Sequence, residues 1–313
     1  MKAYLVTDTT GPDALHLHEL PTPVIAPDQV LVRVRAVSFN PVDAQFTHGQ
    51  GIYDRLKDES PLIPGWDMAG EVVQAGAQVT AFQPGDAVFG MVNFPGLGRT
   101  YAEYVAAPAN QLARKPVNIS FAEAAAATLA ALTAWHALVA LGQVQAGQRV
   151  LVHAASGGVG HFAVQIARQK GAHVSATASA ENRDFVLDLG AEQVVDYQHE
   201  RFEDVVAPVD FVFDTVGHDT TTRSLTILKP GGLLVSTHPD LPEDVRTQAQ
   251  QRGVRVETFL VHASGEDMRQ LADLLAAGQL RSHLSQTLPF DQLPEALRQV
   301  ASGSTVGKVA VIV

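Results

Sequence analysis

A short apolar strand runs directly into a glycine-rich turn and an amphipathic helix, and this segment constrains the fold of the chain most strongly. Residues 149–160 read Arg-Val-Leu-Val-His-Ala-Ala-Ser-Gly-Gly-Val-Gly. Glycines give a tight turn its backbone freedom, and the free N–H groups at a helix start suit a pyrophosphate. Apolar residues then follow a helical spacing: Val159, Phe162, Ala163, Ile166 and Ala167. The segment predicts a dinucleotide-binding turn.

The glycine pattern departs at one position from the usual G-x-G-x-x-G, because an alanine replaces the first glycine. The residues that we expect around the cofactor phosphates are consecutive: Ala155, Ser156, Gly157, Gly158, Val159 and Gly160. A purely structural turn between strand and helix is the alternative. The flanking strand and helix favour the cofactor site.

Length, charge and cysteine content exclude several classes of protein. The chain has 313 residues, enough for two domains with separate cores. A net charge of −11 and the lack of a basic run argue against a nucleic-acid partner. The absence of cysteine excludes disulfides, thiolate catalysis and cysteine-ligated zinc. No signal core and no long uncharged apolar stretch are present, which predicts a soluble cytoplasmic protein without membrane contact.

The chain changes character near Ser120. Residues 1–118 contain short alternating runs between Pro and Gly turns, which predicts a β-rich domain. Ser120 and Glu123 form a capping box before an alanine-rich helical run, and strands then alternate with helices. This order predicts an α/β fold, a Rossmann doubly wound parallel sheet, over residues 119–261. Its predicted strands are 149–154, 173–178, 193–197, 209–214, 232–237 and 254–260.

The last apolar strand, residues 307–313, is expected to return to the first domain. Residues 262–313 would then complete the β-rich domain that residues 1–118 begin.

The end of the second predicted strand bears on the choice of cofactor. In NAD-binding units an acidic residue there binds the ribose 2′-hydroxyl. Here the strand ends in Ala178 and Ser179, and the donors Ser179, Asn182 and Arg183 suit a 2′-phosphate instead. We therefore predict NADPH, although Glu181 nearby argues against it. The alternative is that Ser179 only caps the next helix and Arg183 lies on its exposed face.

Ligands of open α/β sheets bind beyond the carboxyl ends of the strands. Tyr197 is expected to pack on the ribose and adenine, and Phe259 and Val261 to line the nicotinamide end. A strand end can also be simply a turn, and that alternative stays open for each position. The cofactor contacts predicted on this basis are Tyr197, Thr215, Val216, Ser236, His238, Phe259 and Val261.

Several ordered motifs extend over essentially the whole chain: Ser38-Phe-Asn-Pro-Val-Asp43, Tyr53, Pro64-Gly-Trp-Asp-Met-Ala-Gly-Glu71, Pro84-Gly-Asp-Ala-Val88, Leu132-Thr-Ala-Trp135 and residues 155–160. Together they resemble the zinc-independent quinone oxidoreductases and enone reductases of the medium-chain dehydrogenase/reductase superfamily, which includes zeta-crystallin. The resemblance implies a GroES-like β-domain, built from both chain ends, around a Rossmann domain with the active site between them.

The resemblance also implies site residues. Asn40 and Tyr53 are expected to line the nicotinamide and substrate site, with Asp43 close by, and Thr128 joins the predicted cofactor contacts. From the residues alone, Asn40-Pro-Val-Asp is also an ordinary turn. His48 stands where many relatives carry arginine, so we carry over no substrate-binding cation there.

The chain departs from the zinc-dependent members of the superfamily. Those carry an early ligating cysteine, a Gly-His-Glu at residues 65–67 and a four-cysteine lobe. Here Trp66 replaces the histidine and cysteine is absent, so the comparison implies that neither zinc site forms. His16 and His18 form the only close histidine pair, and surface strand positions explain them better than a metal site.

Without zinc, no Lewis acid stabilises an alkoxide, so alcohol oxidation is disfavoured. Hydride transfer to a quinone or an activated C=C bond needs only hydrogen-bond donors and a proton. We therefore predict an NADPH-dependent reductase of quinones or α,β-unsaturated carbonyls. Strand 254–260 at the sheet edge would suit strand pairing, which predicts a homodimer. The alternatives are a reductase or dehydrogenase of a specialised metabolite and a non-catalytic NADPH-binding protein of the crystallin kind.

Overall fold

The computed structural model describes residues 1–313, and the chain divides into two compact units. The first comprises residues 1–132 and 262–313, and the second comprises residues 133–261. The division lies later in the chain than the predicted change at residue 119. The reason is that the helix starting at Phe121 packs against strands of the first unit.

The first stretch of the first unit is mostly extended. Its strands are β1 (Lys2–Val6), β2 (Leu15–Glu19), β3 (Gln29–Ser38), β4 (Asp67–Ala75), β5 (Ala87–Met91), β6 (Tyr104–Pro108) and β7 (Ala113–Arg114). Its helices are α1 (Pro41–Thr47), α2 (Tyr53–Leu56), α3 (Phe121–Ala126) and α4 (Leu129–Trp135), the last of which contains the division between the units.

The second unit alternates strands and helices. After a π-helical turn (His136–Leu141), its strands are β8 (Arg149–Val152), β9 (His173–Ala178), β10 (Gln193–Asp196), β11 (Val209–Asp214), β12 (Leu228–Ser236) and β13 (Arg255–Thr258). Its helices are α5 (Gly160–Gln169), α6 (Arg183–Leu189), α7 (Phe202–Val205), α8 (Asp219–Ser224) and α9 (Val245–Arg252).

The carboxyl-terminal stretch returns to the first unit. Its elements are α10 (Gly265–Ala276), β14 (Leu284–Pro289), α11 (Leu293–Ala301) and β15 (Lys308–Ile312). β15 pairs antiparallel with β3, with Ala310 opposite Ser38. The seven-stranded sheet has the order β14-β15-β3-β4-β5-β7, with β6 also paired to β3, and β1 and β2 form a separate hairpin. Residues near both ends of the chain therefore meet at the end of β3.

The second unit confirms the predicted Rossmann fold. Its six-stranded sheet is parallel and has the order β10-β9-β8-β11-β12-β13, which is the 3-2-1-4-5-6 order of a doubly wound dinucleotide-binding sheet. Strand β8 lies near its centre, and Val150, Leu151 and Val152 are completely buried. This burial explains the uninterrupted apolar run before the glycine turn. No helix in either unit combines the length and apolarity needed to cross a bilayer.

The capping box at Ser120 is present as predicted. The backbone N–H of Ser120 donates to Glu123 Oε2 at 2.7 Å, and that of Glu123 donates to Ser120 Oγ at 3.2 Å. The alanine-rich run does not form one helix, however. α3 ends at Ala126, and α4 begins at Leu129, whose backbone N–H donates to Asp67 Oδ1 at 2.9 Å. A buried carboxylate thus lies at the break between the two helices.

Candidate active site

A buried polar cluster surrounds Asn40 in the first unit. Asn40 follows β3 and precedes α1, and its side-chain amide is held at both ends. Its Nδ2 donates to Asp67 Oδ2 at 2.8 Å, and its Oδ1 accepts from Lys308 Nζ at 2.6 Å. Asp67 starts β4 and Lys308 starts β15, and both are almost fully buried. Asn40 therefore lies in the environment of an ion pair that sequence reasoning did not identify.

Thr128 belongs to the same cluster. Its hydroxyl donates to Asp67 Oδ1 at 2.5 Å and also lies 3.0 Å from the carbonyl oxygen of Ala125. The side chain is completely buried. The structure thus assigns the Thr128 hydroxyl a role in holding Asp67, and its contact with a cofactor stays a prediction.

Asp43 lies on the other side of Asn40 in the first turn of α1. Its Oδ2 accepts from the backbone N–H of Asn40 at 2.7 Å, which caps the helix, while its Oδ1 has no hydrogen-bond partner in the protein. Burial, and secondarily the charge of Asp67, raise the pKa of Asp43 to about 7. Burial and the charge of Asp43 raise the pKa of the neighbouring Tyr101 hydroxyl well above its usual range. The surroundings of Asp43 thus favour its protonated form more than water does.

Of the three predicted catalytic residues, only Tyr53 is not buried, since Asn40 and Asp43 are 3% and 0% exposed. Tyr53 begins α2, it is half-buried, and its ring meets that of Phe46 edge to face at 5.3 Å. The packing fixes the ring. His48 ends α1 and packs beside Gly11, where an added Cβ would lie 2.5 Å from the imidazole. The His48 side chain therefore packs against the turn at Gly11.

The residues at the position of the zinc site do not fit a zinc ion. Trp66, where zinc-dependent members carry histidine, is completely buried, and its indole N–H donates to the carbonyl oxygen of Gly96 at 2.6 Å. Its ring packs edge to face against Phe46 and Phe94. An indole offers a metal no lone pair. Trp66 therefore serves the packing of the first unit and cannot replace the histidine as a zinc ligand.

In the second unit, the predicted turn connects β8 to α5, but its glycines act differently from our expectation. None of Gly157, Gly158 and Gly160 has a positive φ, whereas Ala154 has a φ of 48°. An added Cβ on Gly160 would lie 2.1 Å from the carbonyl oxygen of Ala154. Gly160 is required by close packing of helix on strand, so the prediction that these glycines supply backbone freedom was wrong.

The start of α5 leaves backbone donors available. The N–H of Ala155 donates to the carbonyl of Thr177 at 2.9 Å, and that of Gly157 to the carbonyl of Ala154 at 3.0 Å. The N–H groups of Ser156, Gly158 and Val159 have no acceptor within the protein. Free donors at the amino end of a ten-residue helix, together with the close approach at Gly160, fit a pyrophosphate.

The side chains after β9 satisfy one another. Asn182 Nδ2 donates to Ser179 Oγ at 2.9 Å, and Ser179 Oγ donates to Glu181 Oε1 at 3.3 Å. Arg183 is exposed, and its Nη1 donates to the carbonyl oxygen of Val194 in β10 at 2.8 Å. Its remaining guanidinium donors are available to a phosphate. The four residues lie together at the end of β9, with a carboxylate among the donors.

The other predicted contacts lie at the carboxyl edge of the same sheet. Tyr197 after β10 and Val216 after β11 are exposed apolar residues, 60% and 41% accessible. Thr215 Oγ1 donates to the carbonyl of His153 at 3.3 Å, and Ser236 Oγ accepts from the backbone N–H of His238 at 3.1 Å.

Two predicted contacts remain beyond β13. Phe259 is half-buried and Val261 is buried, on either side of the exposed Leu260. Phe259 and Val261 both follow the carboxyl end of β13, where ligands of such sheets bind. Their contact with the cofactor stays a prediction.

His153, directly after β8, is a structural residue that sequence reasoning missed. Its ring lies 3.1 Å from Thr177 Oγ1 and 2.9 Å from Ser224 Oγ. The Ser224 hydroxyl donates to the carbonyl of Thr220, so it accepts from His153 Nε2–H. Thr177 Oγ1 accepts from the N–H of Ala154, so its proton points to His153 Nδ1. A neutral imidazole thus joins the cofactor turn to β9 and α8.

The pKa of His153 is lowered from 6.5 to about 4, chiefly by burial, with Asp214 and Glu203 opposing the fall and Arg223 contributing to it. A protonated ring would also present a second N–H to Thr177 and would disturb the chain of hydrogen bonds. The neutral form is therefore part of the folded state of the second unit.

Replacing His153 with Phe should weaken the pH dependence of the free energy of unfolding. The folded pKa lies below the unfolded one, so His153 contributes no pH-dependent penalty above pH 6.5, and stability is lost as the pH falls towards 4. The difference between the two pKa values corresponds to a loss of about 3 kcal/mol. Urea unfolding across this pH range measures it. His16→Ala is the control, because His16 is an exposed histidine on β2. If the free energy of unfolding of His153→Phe fell with pH as steeply as that of the wild type, the assignment would be contradicted.

Comparison with known proteins extends over the whole chain. Residues 26–117 match the GroES-like domain of alcohol dehydrogenases, and residues 189–311 match the family described as zinc-binding dehydrogenases. The GroES-like match identifies the strand-rich domain of the first unit.

Individual relatives are more specific. The chain is 33% identical to the chloroplastic NADPH-dependent alkenal/one oxidoreductase of Arabidopsis thaliana, over 99% of this chain and 79% of that protein. The quinone oxidoreductase of Coxiella burnetii superposes with a TM-score of 0.93 at 36% identity, covering 100% of this chain and 99% of that one. The Escherichia coli quinone oxidoreductase complexed with NADPH superposes with a TM-score of 0.88 at 26% identity, with the same coverage. The chain belongs to the quinone oxidoreductase and enone reductase family of the medium-chain dehydrogenase/reductase superfamily.

Proposed function

We propose that this protein is an NADPH-dependent oxidoreductase that transfers hydride to quinones or to the activated C=C bond of α,β-unsaturated carbonyls, without zinc. Family membership carries the proposal, because relatives named for these reactions match nearly the whole chain. The residues of each unit agree with it. The second unit has free backbone donors for an anion on a Rossmann sheet, and the first unit has the donors Asn40 and Tyr53, with Trp66 at the position where zinc-dependent members carry a ligand.

The second unit would hold the cofactor through three groups of residues. The N–H groups of Ser156, Gly158 and Val159 would bind the pyrophosphate, and Gly160 lets the helix approach closely enough to present them. Ser179, Asn182 and Arg183 would bind the 2′-phosphate. The remaining predicted contacts line the carboxyl edge, where the exposed ring of Tyr197 offers a packing surface. When bound, the cofactor supplies a hydride from its nicotinamide ring.

The first unit would stabilise the reacting substrate. Hydride addition to the electrophilic carbon moves an electron pair onto the carbonyl or quinone oxygen, and this oxygen then takes a proton. A hydrogen-bond donor placed against the developing charge lowers the barrier. The Tyr53 hydroxyl and the remaining N–H of Asn40 are the donors that we assign to this task. Asp43 is enclosed and caps α1, so we assign it an electrostatic effect on Asn40, and solvent supplies the proton.

Several parts of the proposal go beyond the family assignment. Strand β13 has a neighbour on one side only, so its free edge suits a homodimer formed by strand pairing. Cytoplasmic location stays a prediction, and the Arabidopsis relative is chloroplastic. A non-catalytic NADPH-binding protein and a reductase of a specialised metabolite are the alternatives that activity measurements separate.

The preference for NADPH over NADH should depend on two oppositely charged side chains that follow β9, Arg183 and Glu181. Arg183→Ala is expected to weaken NADPH binding by roughly 1–3 kcal/mol and to leave NADH binding nearly unchanged, because only NADPH offers a 2′-phosphate. Glu181→Gln should strengthen NADPH binding, because the carboxylate competes for Ser179 and repels the phosphate. Calorimetric titration of both variants with both cofactors measures the effects.

Arg252→Ala is the matched control for that experiment. It also removes one arginine of the second unit, but at the end of α9, which leads to the amino end of β13. Its affinity for NADPH should be unchanged. Equal affinity of the wild-type protein for NADPH and NADH would refute the 2′-phosphate site.

Turnover of a 1,4-quinone or an alkenal with NADPH should depend on the Tyr53 hydroxyl. Tyr53→Phe is expected to lower kcat and kcat/KM together by roughly ten- to a hundredfold, because the hydroxyl acts on charge that exists only in the transition state. Steady-state NADPH oxidation over a panel of quinones and enones measures it. Tyr104→Phe, at a half-buried tyrosine on β6, is the control. Unchanged kinetics in Tyr53→Phe would place the substrate elsewhere, and no turnover across the panel would favour the binding-protein alternative.

Activity should survive exhaustive chelation, and simple alcohols should be poor substrates. Trp66 cannot ligate zinc and the chain has no cysteine, so no Lewis acid is available at this position to stabilise an alkoxide. Metal analysis of the purified protein with and without chelator is the measurement. One bound zinc per chain whose removal abolishes turnover would overturn the zinc-independent assignment.

A further inference from the structure

The ammonium group of Lys308 is enclosed by acceptors in the first unit. Lys308 is 2% exposed. Its Nζ donates to the carbonyl oxygen of Phe39, to Asn40 Oδ1 at 2.6 Å and to Asp67 Oδ2 at 3.4 Å. An ammonium group has three N–H donors, so these contacts use all of them. Lys308 therefore has no donor left for a substrate, and any effect on the reaction must pass through its neighbours.

Asp67 is equally enclosed, at 0% exposure. Its Oδ1 accepts from Thr128 Oγ1 and from the backbone N–H of Leu129, and its Oδ2 accepts from Asn40 Nδ2 and Lys308. All four of these contacts come from N–H or O–H donors, so each of them is attractive. Both members of the ion pair contact the Asn40 amide. The Lys308 ammonium contacts the amide oxygen, and the Asp67 carboxylate contacts the amide nitrogen.

This arrangement allows the amide only one orientation. With Oδ1 on the ammonium and Nδ2 on the carboxylate, both contacts are attractive and charge-assisted. A half-turn of the amide would place its NH2 against the ammonium and its oxygen against the carboxylate, so that both contacts would become repulsive. The second Nδ2–H of Asn40 consequently has a fixed direction.

We propose that the buried Lys308–Asp67 ion pair is the positioning device of the active site, which fixes the Asn40 amide so that its second N–H can act on the substrate oxygen. The inference rests on the proposed function in one respect, the role of Asn40. Lys308 is a positioning residue, since it acts only through Asn40. Asp43 is a third titratable group beside the pair, and burial and the charge of Asp67 raise its pKa to about 7 while the charge of Lys308 opposes this rise.

A double-mutant cycle tests the mechanism of the effect. Lys308→Met should lower kcat roughly ten- to a hundredfold with little change in NADPH affinity, because the amide loses its fixed orientation. In an Asn40→Ala background the same substitution should have no further effect on kcat. Lys115→Met is the matched control, since this lysine of the first unit donates to the carbonyl oxygens of Pro116 and Ile119, outside the cluster. Its kcat should equal that of the wild type.

Lys308→Met leaves Asp67 as an uncompensated buried charge and can fail to fold. The double variant Asp67→Asn/Lys308→Met removes both charges and keeps the volume of the cluster. In it the introduced amide can donate to Asn40 Oδ1, so the Asn40 amide should reverse. We expect a folded protein, shown by an unchanged circular dichroism spectrum, with the same loss of kcat.

Nuclear magnetic resonance of the Asn40 side-chain amide gives a readout that is independent of turnover. In the wild type its two Nδ2–H protons should be distinct and slow to exchange, and in the neutral double variant both shifts should move and protection should fall. Additive effects of Lys308→Met and Asn40→Ala on kcat, or unchanged Asn40 resonances in the double variant, would overturn the inference. If Asn40→Ala itself leaves kcat unchanged while the Asn40 resonances respond as expected, the proposed role of Asn40 fails and the orienting ion pair stands.

Discussion

The antiparallel pairing of β15 with β3 is the contact on which the first unit depends. It places Ala310 opposite Ser38, and continuing this register brings Lys308 to Asn40. The two residues are 268 positions apart in the chain, yet their side chains meet at 2.6 Å. A one-residue slip would turn Lys308 to the opposite face of the sheet. The register of β15 against β3 therefore determines whether Lys308 can reach Asn40.

The cluster around Asn40 holds a buried carboxylate and a buried ammonium group side by side. A buried carboxylate is costly unless donors surround it, and Asp67 receives donors from Asn40, Lys308, Thr128 and the start of α4. The same carboxylate explains why the alanine-rich run breaks into two helices, because Leu129 N–H turns to Asp67. Asp43 has no such partner on Oδ1, and burial together with the charge of Asp67 raises its pKa to about 7.

Sequence reasoning predicted local features well and long-range contacts poorly. The Rossmann sheet, the capping box at Ser120 and the strand–turn–helix unit at residues 149–160 follow from periodicity and turn chemistry, which act over a few residues. The partners of Asn40 could not be predicted in this way. Lys308 occurs in an apolar strand, where nothing nearby in the sequence shows that a buried carboxylate will neutralise it. The signal that could have found it is the charged residue itself, since a lysine is rarely buried without a partner.

The glycine turn connects strand to helix as predicted, but its glycines are needed for a different reason from the one predicted. The positive φ belongs to Ala154, and Gly160 is needed because its missing Cβ lets α5 approach the carbonyl of Ala154. His153 then stabilises this turn through Thr177 and Ser224, partners contributed by β9 and α8. A pattern of residue types indicates that a turn binds a ligand, whereas the side chains that hold it become visible only when neighbouring strands are in place.

A buried ammonium and a zinc ion offer different chemistry, and this difference connects the Asn40 cluster to the class of reaction. Zinc binds substrate oxygen directly and stabilises an alkoxide. The Lys308 ammonium already donates to three acceptors and can only polarise the amide that accepts from it. Drawing electron density towards Asn40 Oδ1 makes the opposite N–H a better donor, which suits the diffuse charge of an enolate or hydroquinone oxygen. An alkoxide is a much stronger base than an enolate or a hydroquinone anion, and a single polarised amide cannot offset the cost of forming one without a Lewis acid. In the role proposed for Asn40, this cluster therefore favours reduction of conjugated acceptors over oxidation of alcohols.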